Sequence, residues 1–280
     1  MKMRSFAGLD LTRPLVMGII NVTPDSFSDG GDAFHSDDAI ARGLALMEQG
    51  AAILDVGGES TRPGADPVSE GDEIARVVPV IRALADAGAV VSIDTRHAAV
   101  MEAAIAVGAA IVNDVTALTG DARSLDVVAK SGISLVLMHM QGTPETMQQD
   151  PHYDDVTAEV IAHLAAQVAA CVERGVPRSE IAVDPGIGFG KTIDHNLELL
   201  KSLEAFRALD CPLVLGASRK SMIARLSKGE APKDRVGGSI AAALAGVARG
   251  ADIIRVHDVA ETCQAIAVWQ AIENSGSQSI

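Results

Sequence analysis

The residues best suited to chemistry stand at short intervals along the whole chain. Asp94, Asn113, Asp184 and Lys220 offer two carboxylates, an amide and an ammonium. That mixture of donors and acceptors suits a flat heterocycle with several ring nitrogens and a carbonyl. Asp94 or Asn113 alone could simply cap a following helix. Four such groups buried together without a ligand leave costly unpaired polar atoms.

Arg255 and His257 lie two positions apart, so on a strand both side chains share a face. Two basic groups there suit an anion, and Arg62 could reach the same one. Asn21, Asp25 and Asp29 carry the hard oxygen donors that Mg²⁺ prefers when it also takes diphosphate oxygens. The same residues also build capped turns, which is the plainer reading of Asp25 and Asp29.

The run from Pro185 to Thr192 has the glycines of a phosphate loop without their spacing, because Pro185 stands where the first glycine is required. A turn at positive φ accounts for part of it. Its expected role is to let backbone pass close to a ligand while Phe189 covers it. His35, His97, His139, His152, His163 and His195 fit neither HxH nor HExxH and are read as structural or peripheral.

Positioning these groups requires strands that end where they begin. Short β-rich runs recur at 15–20, 52–56, 89–94, 110–113, 134–139, 181–184, 213–217 and 252–256. Between most of them the periodicity is helical, as at 37–49, 71–87 and 156–174, and Gly50, Gly88, Gly108, Gly132, Gly175 and Gly250 stand where helices should end. Eight strands alternating with helices predict an α/β fold, a single-domain (β/α)8 TIM barrel, with a doubly wound sheet as runner-up. The polar clusters then follow the strands, at the face where such barrels carry their active sites. The domain spans 1–280, with 1–13 an N-terminal extension and 274–280 a frayed tail.

Composition agrees. In a chain of 280 residues, 48% hydrophobic but 2% aromatic, aliphatic side chains must fill the core. A net charge of -14 opposes nucleic acid and anionic membrane as partners. Cys171, Cys211 and Cys263 form no CxxC pair, which fits a reducing cytoplasmic setting. The longest apolar run, 240–248, falls far short of a membrane span.

The motifs Asn21-Val-Thr-Pro-Asp-Ser-Phe-Ser-Asp-Gly-Gly31, Asp55-Val-Gly-Gly-Glu-Ser-Thr-Arg-Pro-Gly64, Ser92-Ile-Asp-Thr-Arg96, Asn113-Asp-Val115, His139-Met-Gln-Gly142, Asp184-Pro-Gly-Ile-Gly-Phe-Gly-Lys191, Ser218-Arg-Lys-Ser221 and Arg255-Val-His-Asp-Val259 resemble the dihydropteroate synthase family in type and order. The resemblance implies condensation of 6-hydroxymethyl-7,8-dihydropterin diphosphate with 4-aminobenzoate, releasing diphosphate and giving 7,8-dihydropteroate, in an enzyme that sulfonamides target. It also implies a homodimer built from late helices, and catalysis resting on Asp94, Asp184, Lys220 and Arg255.

By the same resemblance, Asp94, Asn113, Met138, Asp184, Phe189, Gly216 and Lys220 hold the pterin. Asn21, Thr61, Arg62, Arg255 and His257 hold diphosphate. Phe27, Thr61, Arg62, Pro63, Phe189, Lys220 and Ser221 frame 4-aminobenzoate, and Asn21 with Asp29 holds Mg²⁺. Two alternatives compete: a pterin-binding methyltetrahydrofolate:corrinoid methyltransferase, against which the basic Arg255/His257 pair argues, and a catalytically silent paralogue.

Overall fold

Valine, isoleucine and leucine dominate the strands because both of their faces are covered, one by the barrel interior and one by helices. The computed structural model describes residues 4–23, 32–60, 68–143 and 146–275. A hairpin of β1 (Ser5–Phe6) and β2 (Leu9–Asp10) comes first. The barrel strands follow: β3 (Leu15–Asn21), β4 (Ile53–Gly57), β5 (Val91–Asp94), β6 (Ile111–Asp114), β7 (Ser134–Met138), β8 (Ile181–Asp184), β9 (Val214–Leu215) and β10 (Ile253–Val256).

These pair in parallel in the order β8-β7-β6-β5-β4-β3-β10-β9. A parallel bridge between Val183 and Leu213 joins the two ends, and Val183 N–H donates to Pro212 at 2.9 Å. The sheet is therefore a closed (β/α)8 barrel, not the doubly wound runner-up. Strand β9 keeps a ladder over two residues only, and the chain then turns through Arg219 at φ 58°.

The helices are α1 (Asp32–Glu48), α2 (Glu70–Asp86), α3 (Ala98–Ala106), α4 (Ser124–Ser131), α5 (Val156–Glu173), α6 (Ile193–Lys201), α7 (Ser221–Leu226), α8 (Val236–Val247) and α9 (Val259–Asn274). Gly132 closes α4 at φ 69°, and Gly50, Gly88, Gly108, Gly175 and Gly250 take φ values from 86° to 106°. Among the described residues one helix, α5, is long and apolar enough to cross a membrane by length and composition alone. Its Val156, Val160, Leu164, Val168 and Cys171 recur at helical spacing and are buried in the core.

The N-terminal hairpin was legible only as an extension, yet it closes the floor of the barrel. Phe6 is fully buried and packs with Leu11, Leu15, Met17, Ile53, Ile111, Val136, Ala182, Val214 and Ile253. Burying such a ring stabilises the fold by about 2 kcal/mol. Arg4 holds the hairpin in place through Asp252, with N to O distances of 3.0 and 3.1 Å.

Candidate active site

Side chains on barrel strands alternate between the lumen and the helices, so the floor positions predict the layer above them. Two residues beyond the floor residues Ile53, Ile111, Val136, Ala182, Val214 and Ile253 stand Asp55, Asn113, Met138, Asp184, Gly216 and Arg255. Asp94 follows buried Ser92 on β5 in the same way. One step further out come Asn21, Ser218 and His257. A hydrophobic floor thus supports a polar layer, and strand closure brings the predicted residues of six strands together.

Arg255 is the hub of that layer. Its Nε donates to Asp55 Oδ2 at 2.6 Å and its Nη2 to Asp94 Oδ2 at 2.5 Å. Asn113 Nδ2 donates to the same Asp55 oxygen at 3.1 Å. Burial opposes the charge on Arg255, but Asp55 and Asp94 outweigh it and raise its pKa. Burial lifts Asp94 to about 7; Arg255 pulls it down, and Asp55, Glu73 and Asp114 push it up. Asp184 is also raised by burial, against the Gly186 N–H bond and the charges of Lys220 and Arg255. The site therefore gathers more carboxylate than it neutralises, which suits a cationic or electron-poor ligand.

The other wall is apolar. Met138 and Phe189 pack with Val115 and Met147, and the Lys220 ammonium lies 3.9 Å from the centre of the Phe189 ring. Asp184 Oδ1 accepts from Gly186 N–H at 2.7 Å. Gly216 leaves room between Asp184 and Arg255: a Cβ there lies 3.5 Å from Asp184 Oδ2 and 3.9 Å from Arg255 Cδ.

At the rim, Ser218 Oγ accepts from His257 N–H at 3.2 Å and pairs with His257 Nδ1 at 3.1 Å. Burial first, and then Arg219 and Arg255, push His257 down to about 3. In this geometry the shift favours the neutral imidazole, whereas the sequence predicts a basic partner for Arg255 toward an anion. Where Ser218 Oγ–H donates to Nδ1, Nε2 carries the proton and is a donor; the opposite tautomer reverses both roles. Arg219 turns away from the site onto Asp258, to which it donates at 3.0 Å from Nε. Ser221 is exposed at the start of α7.

Three further findings adjust the sequence reading. The glycine run passes close to backbone, where the sequence predicts close passage to a ligand: a Cβ on Gly186 falls 1.9 Å from His139 O, and one on Gly190 falls 2.5 Å from Gln141 O. Asp55 and Lys191 were missed as site residues. A carboxylate inside the apolar run Ile53–Gly57 was the available signal for Asp55, and the last position of the glycine motif was the signal for Lys191. Phe27, Asp25, Asp29, Thr61, Arg62 and Pro63 lie outside the described residues.

Glu59, Glu73 and His97 bring one ligand atom each within 4.8 Å of the others. They are already engaged. Arg96 binds both Glu59 oxygens at 3.0 and 3.1 Å, and His97 Nδ1 meets Glu73 at 2.8 Å.

Residues 17–257 match the family model described as pterin binding enzyme. The chain is 47% identical over 264 residues to the dihydropteroate synthase of Escherichia coli strain K12, covering 94% of this chain and 93% of that protein. Dihydropteroate synthase of Xanthomonas albilineans, solved with 4-aminobenzoic acid, superimposes with a TM-score of 0.90 at 48% identity, over 95% of this chain and 96% of that one. A structure of the Xanthomonas albilineans enzyme in complex with 7,8-dihydropteroate gives 0.86 at 45% identity, over 95% of each chain.

Proposed function

The chain belongs to the dihydropteroate synthases, a family of pterin binding enzymes, and from that premise we propose how its residues divide the work. It is a transferase of folate biosynthesis that joins 6-hydroxymethyl-7,8-dihydropterin diphosphate to 4-aminobenzoate. In that reaction the arylamine nitrogen bonds to the pterin methylene and loses a proton, while the carbon-oxygen bond to diphosphate breaks.

Asp94, Asn113, Asp184 and Lys220 hold the pterin edge, with Met138 and Phe189 against the ring and Gly216 leaving it space. The observation that carries this assignment is the convergence of Asp94, Asn113 and Arg255 through Asp55, above an apolar floor. As the carbon-oxygen bond stretches, positive charge develops on the methylene and negative charge on diphosphate. The carboxylates of Asp94 and Asp184 stabilise the first; Arg255 and the Nε2–H of neutral His257 stabilise the second. The path is SN1-like, so oxygen atoms of the bridging position should scramble even without the arylamine.

Asn21, Thr61 and Arg62 complete the diphosphate site. Phe27, Thr61, Arg62, Pro63, Phe189, Lys220 and Ser221 frame 4-aminobenzoate. The amide oxygen of Asn21, one step above the polar layer, is a hard neutral donor of the kind Mg²⁺ takes together with phosphate oxygens, and Asp29 would add a carboxylate. When bound, the ion offsets charge on the leaving group. A homodimer built from late helices is part of the proposal, and exposed Val268 and Ile272, four positions apart, share one apolar face of α9. All three cysteines are free thiols, which supports a cytoplasmic setting.

The deciding experiment is a coupled diphosphate-release assay with and without 4-aminobenzoate and Mg²⁺. Release that needs both co-reactants supports the proposal. Tight binding of the pterin diphosphate with no release on adding 4-aminobenzoate identifies a silent paralogue.

A further inference from the structure

Lys191 is buried to 3% exposure, and its ammonium has three donors and three partners. Nζ lies 2.9 Å from Phe189 O, 3.3 Å from His139 O and 3.0 Å from His139 Nδ1. When Nζ is an ammonium it cannot accept, so His139 Nδ1 then accepts and the imidazole is the Nε2–H tautomer. His163 meets that ring edge-on at 5.0 Å. The lysine therefore ties the exit of β7 to the loop after β8 at the place where the two backbones nearly touch, beside Gly186 and Gly190.

Both tied segments carry pocket residues. Met138 immediately precedes His139, and Phe189 is itself held by its carbonyl. The Phe189 ring in turn seats the Lys220 ammonium at 3.9 Å. Tyr153 Oη donates to Gly190 O at 2.8 Å, and Asn196 Oδ1 accepts from Gly188 N–H at 2.6 Å, so the rest of the loop is anchored by other groups. At Phe189 the carbonyl is held by the buried ammonium, while the Phe189 N–H donates to Gly186 O at 3.1 Å.

We infer that Lys191 is a positioning residue for the pterin pocket: it fixes the Phe189 backbone against the β7 exit and through the ring sets where Lys220 stands. The inference rests on the reading of that pocket proposed above. Lys191 itself touches no substrate. Burial pushes it down to about 7, opposed by the charge of Asp184 and aided by that of Lys220; a charge held there against desolvation must satisfy its carbonyl partners closely.

The test compares the parent chain, Lys191→Met, Phe189→Leu and the double variant. Lys191→Met should lower kcat/KM for the pterin diphosphate by about 10- to 100-fold. Its affinity for inorganic diphosphate with Mg²⁺ should stay within about two-fold of the parent, because that end of the site rests on β3 and β10. With Phe189 already shortened, adding Lys191→Met should cost no more than about two-fold, since the two act through one contact. Parent-like turnover, multiplying losses in the double variant, or an equal loss of diphosphate affinity each overturns the inference.

If Lys191→Met does not fold, His139→Leu removes one acceptor and leaves the lysine. A several-fold fall in pterin kcat/KM with diphosphate affinity kept supports the inference, and unchanged turnover overturns it. A parent protein that releases no diphosphate defeats the functional reading and this inference with it; an active parent matched by its variants defeats the inference alone.

Discussion

Arg255 Nε donates to Asp55 Oδ2 at 2.6 Å, joining residues 200 positions apart in the chain. The same carboxylate oxygen takes Asn113 Nδ2 at 3.1 Å, and the same guanidinium takes Asp94 at 2.5 Å. A fully buried carboxylate thus holds Arg255 and Asn113 directly, and Asp94 through Arg255, three residues that the proposed function places against substrate.

Replacing Asp55 by asparagine removes half of the charge that holds Arg255. Breaking a buried pair from one side is destabilising by about 3 kcal/mol, because the remaining charge stays in the interior. Asp55→Asn should unfold at lower urea and lose about 10-fold or more in kcat/KM for the pterin diphosphate. Unchanged stability and kinetics would show that Asp55 does not orient Arg255.

Asp94, raised to about 7 chiefly by burial, must ionise to stabilise a cation. Activity should therefore rise with pH through an acidic limb near neutrality. Asp55 is among the charges that push Asp94 up, so the limb in Asp55→Asn should move to lower pH. A profile flat from about pH 5 to about pH 8 in the parent contradicts the assigned role.

His139 is pushed from 6.5 down to about 3, by burial first and by Lys191 second. The unfolded chain therefore takes up a proton near 6.5 that the folded chain refuses until about 3. The stability this group contributes is complete above 6.5 and is lost as pH falls toward about 3. Between about pH 7.5 and about pH 4, His139→Gln should lose less unfolding free energy than the parent, by roughly 3 kcal/mol. Parallel urea curves for the two proteins would refute this.

Gly186 stands at φ 70° with the site of a Cβ 1.9 Å from His139 O. Alanine there is strained by conformation and by collision with backbone that has no flexible end to move. Gly186→Ala should be destabilised by about 3 kcal/mol or more. Thermal denaturation checks it, and a parent-like melting temperature would mean that the two loops separate freely.

Lys220→Ala should lower kcat/KM for both substrates by about 100-fold or more, since the proposed site sets one ammonium against pterin and arylamine together. Steady-state kinetics with each substrate varied in turn would expose an effect confined to one of them.

The strand and helix pattern was readable because each barrel strand is an apolar run closed by a polar cluster, with glycine marking helix ends such as that at Gly132. The hairpin at Ser5–Phe6 and Leu9–Asp10 was not, because two-residue strands have no periodicity. At the site, the positions of Asp94, Asn113, Asp184 and Arg255 on or at the ends of strands were legible, and that of Lys220 in the loop after β9. Asp55 was hidden inside an apolar run, where nothing local explains a carboxylate.

By itself, then, the sequence determined which residues face the lumen, since alternation along a strand is a local property of the backbone. Tertiary structure decided which of them meet. Closing the sheet between Val183 and Leu213 brought Arg255 onto Asp55 and Asp94. It also turned Arg219 onto Asp258, pushed the pKa of His257 down, and buried the Lys191 ammonium against the Phe189 carbonyl. Charge, burial and hydrogen-bond partners depend on groups far apart in the chain, and only the closed barrel sets those distances.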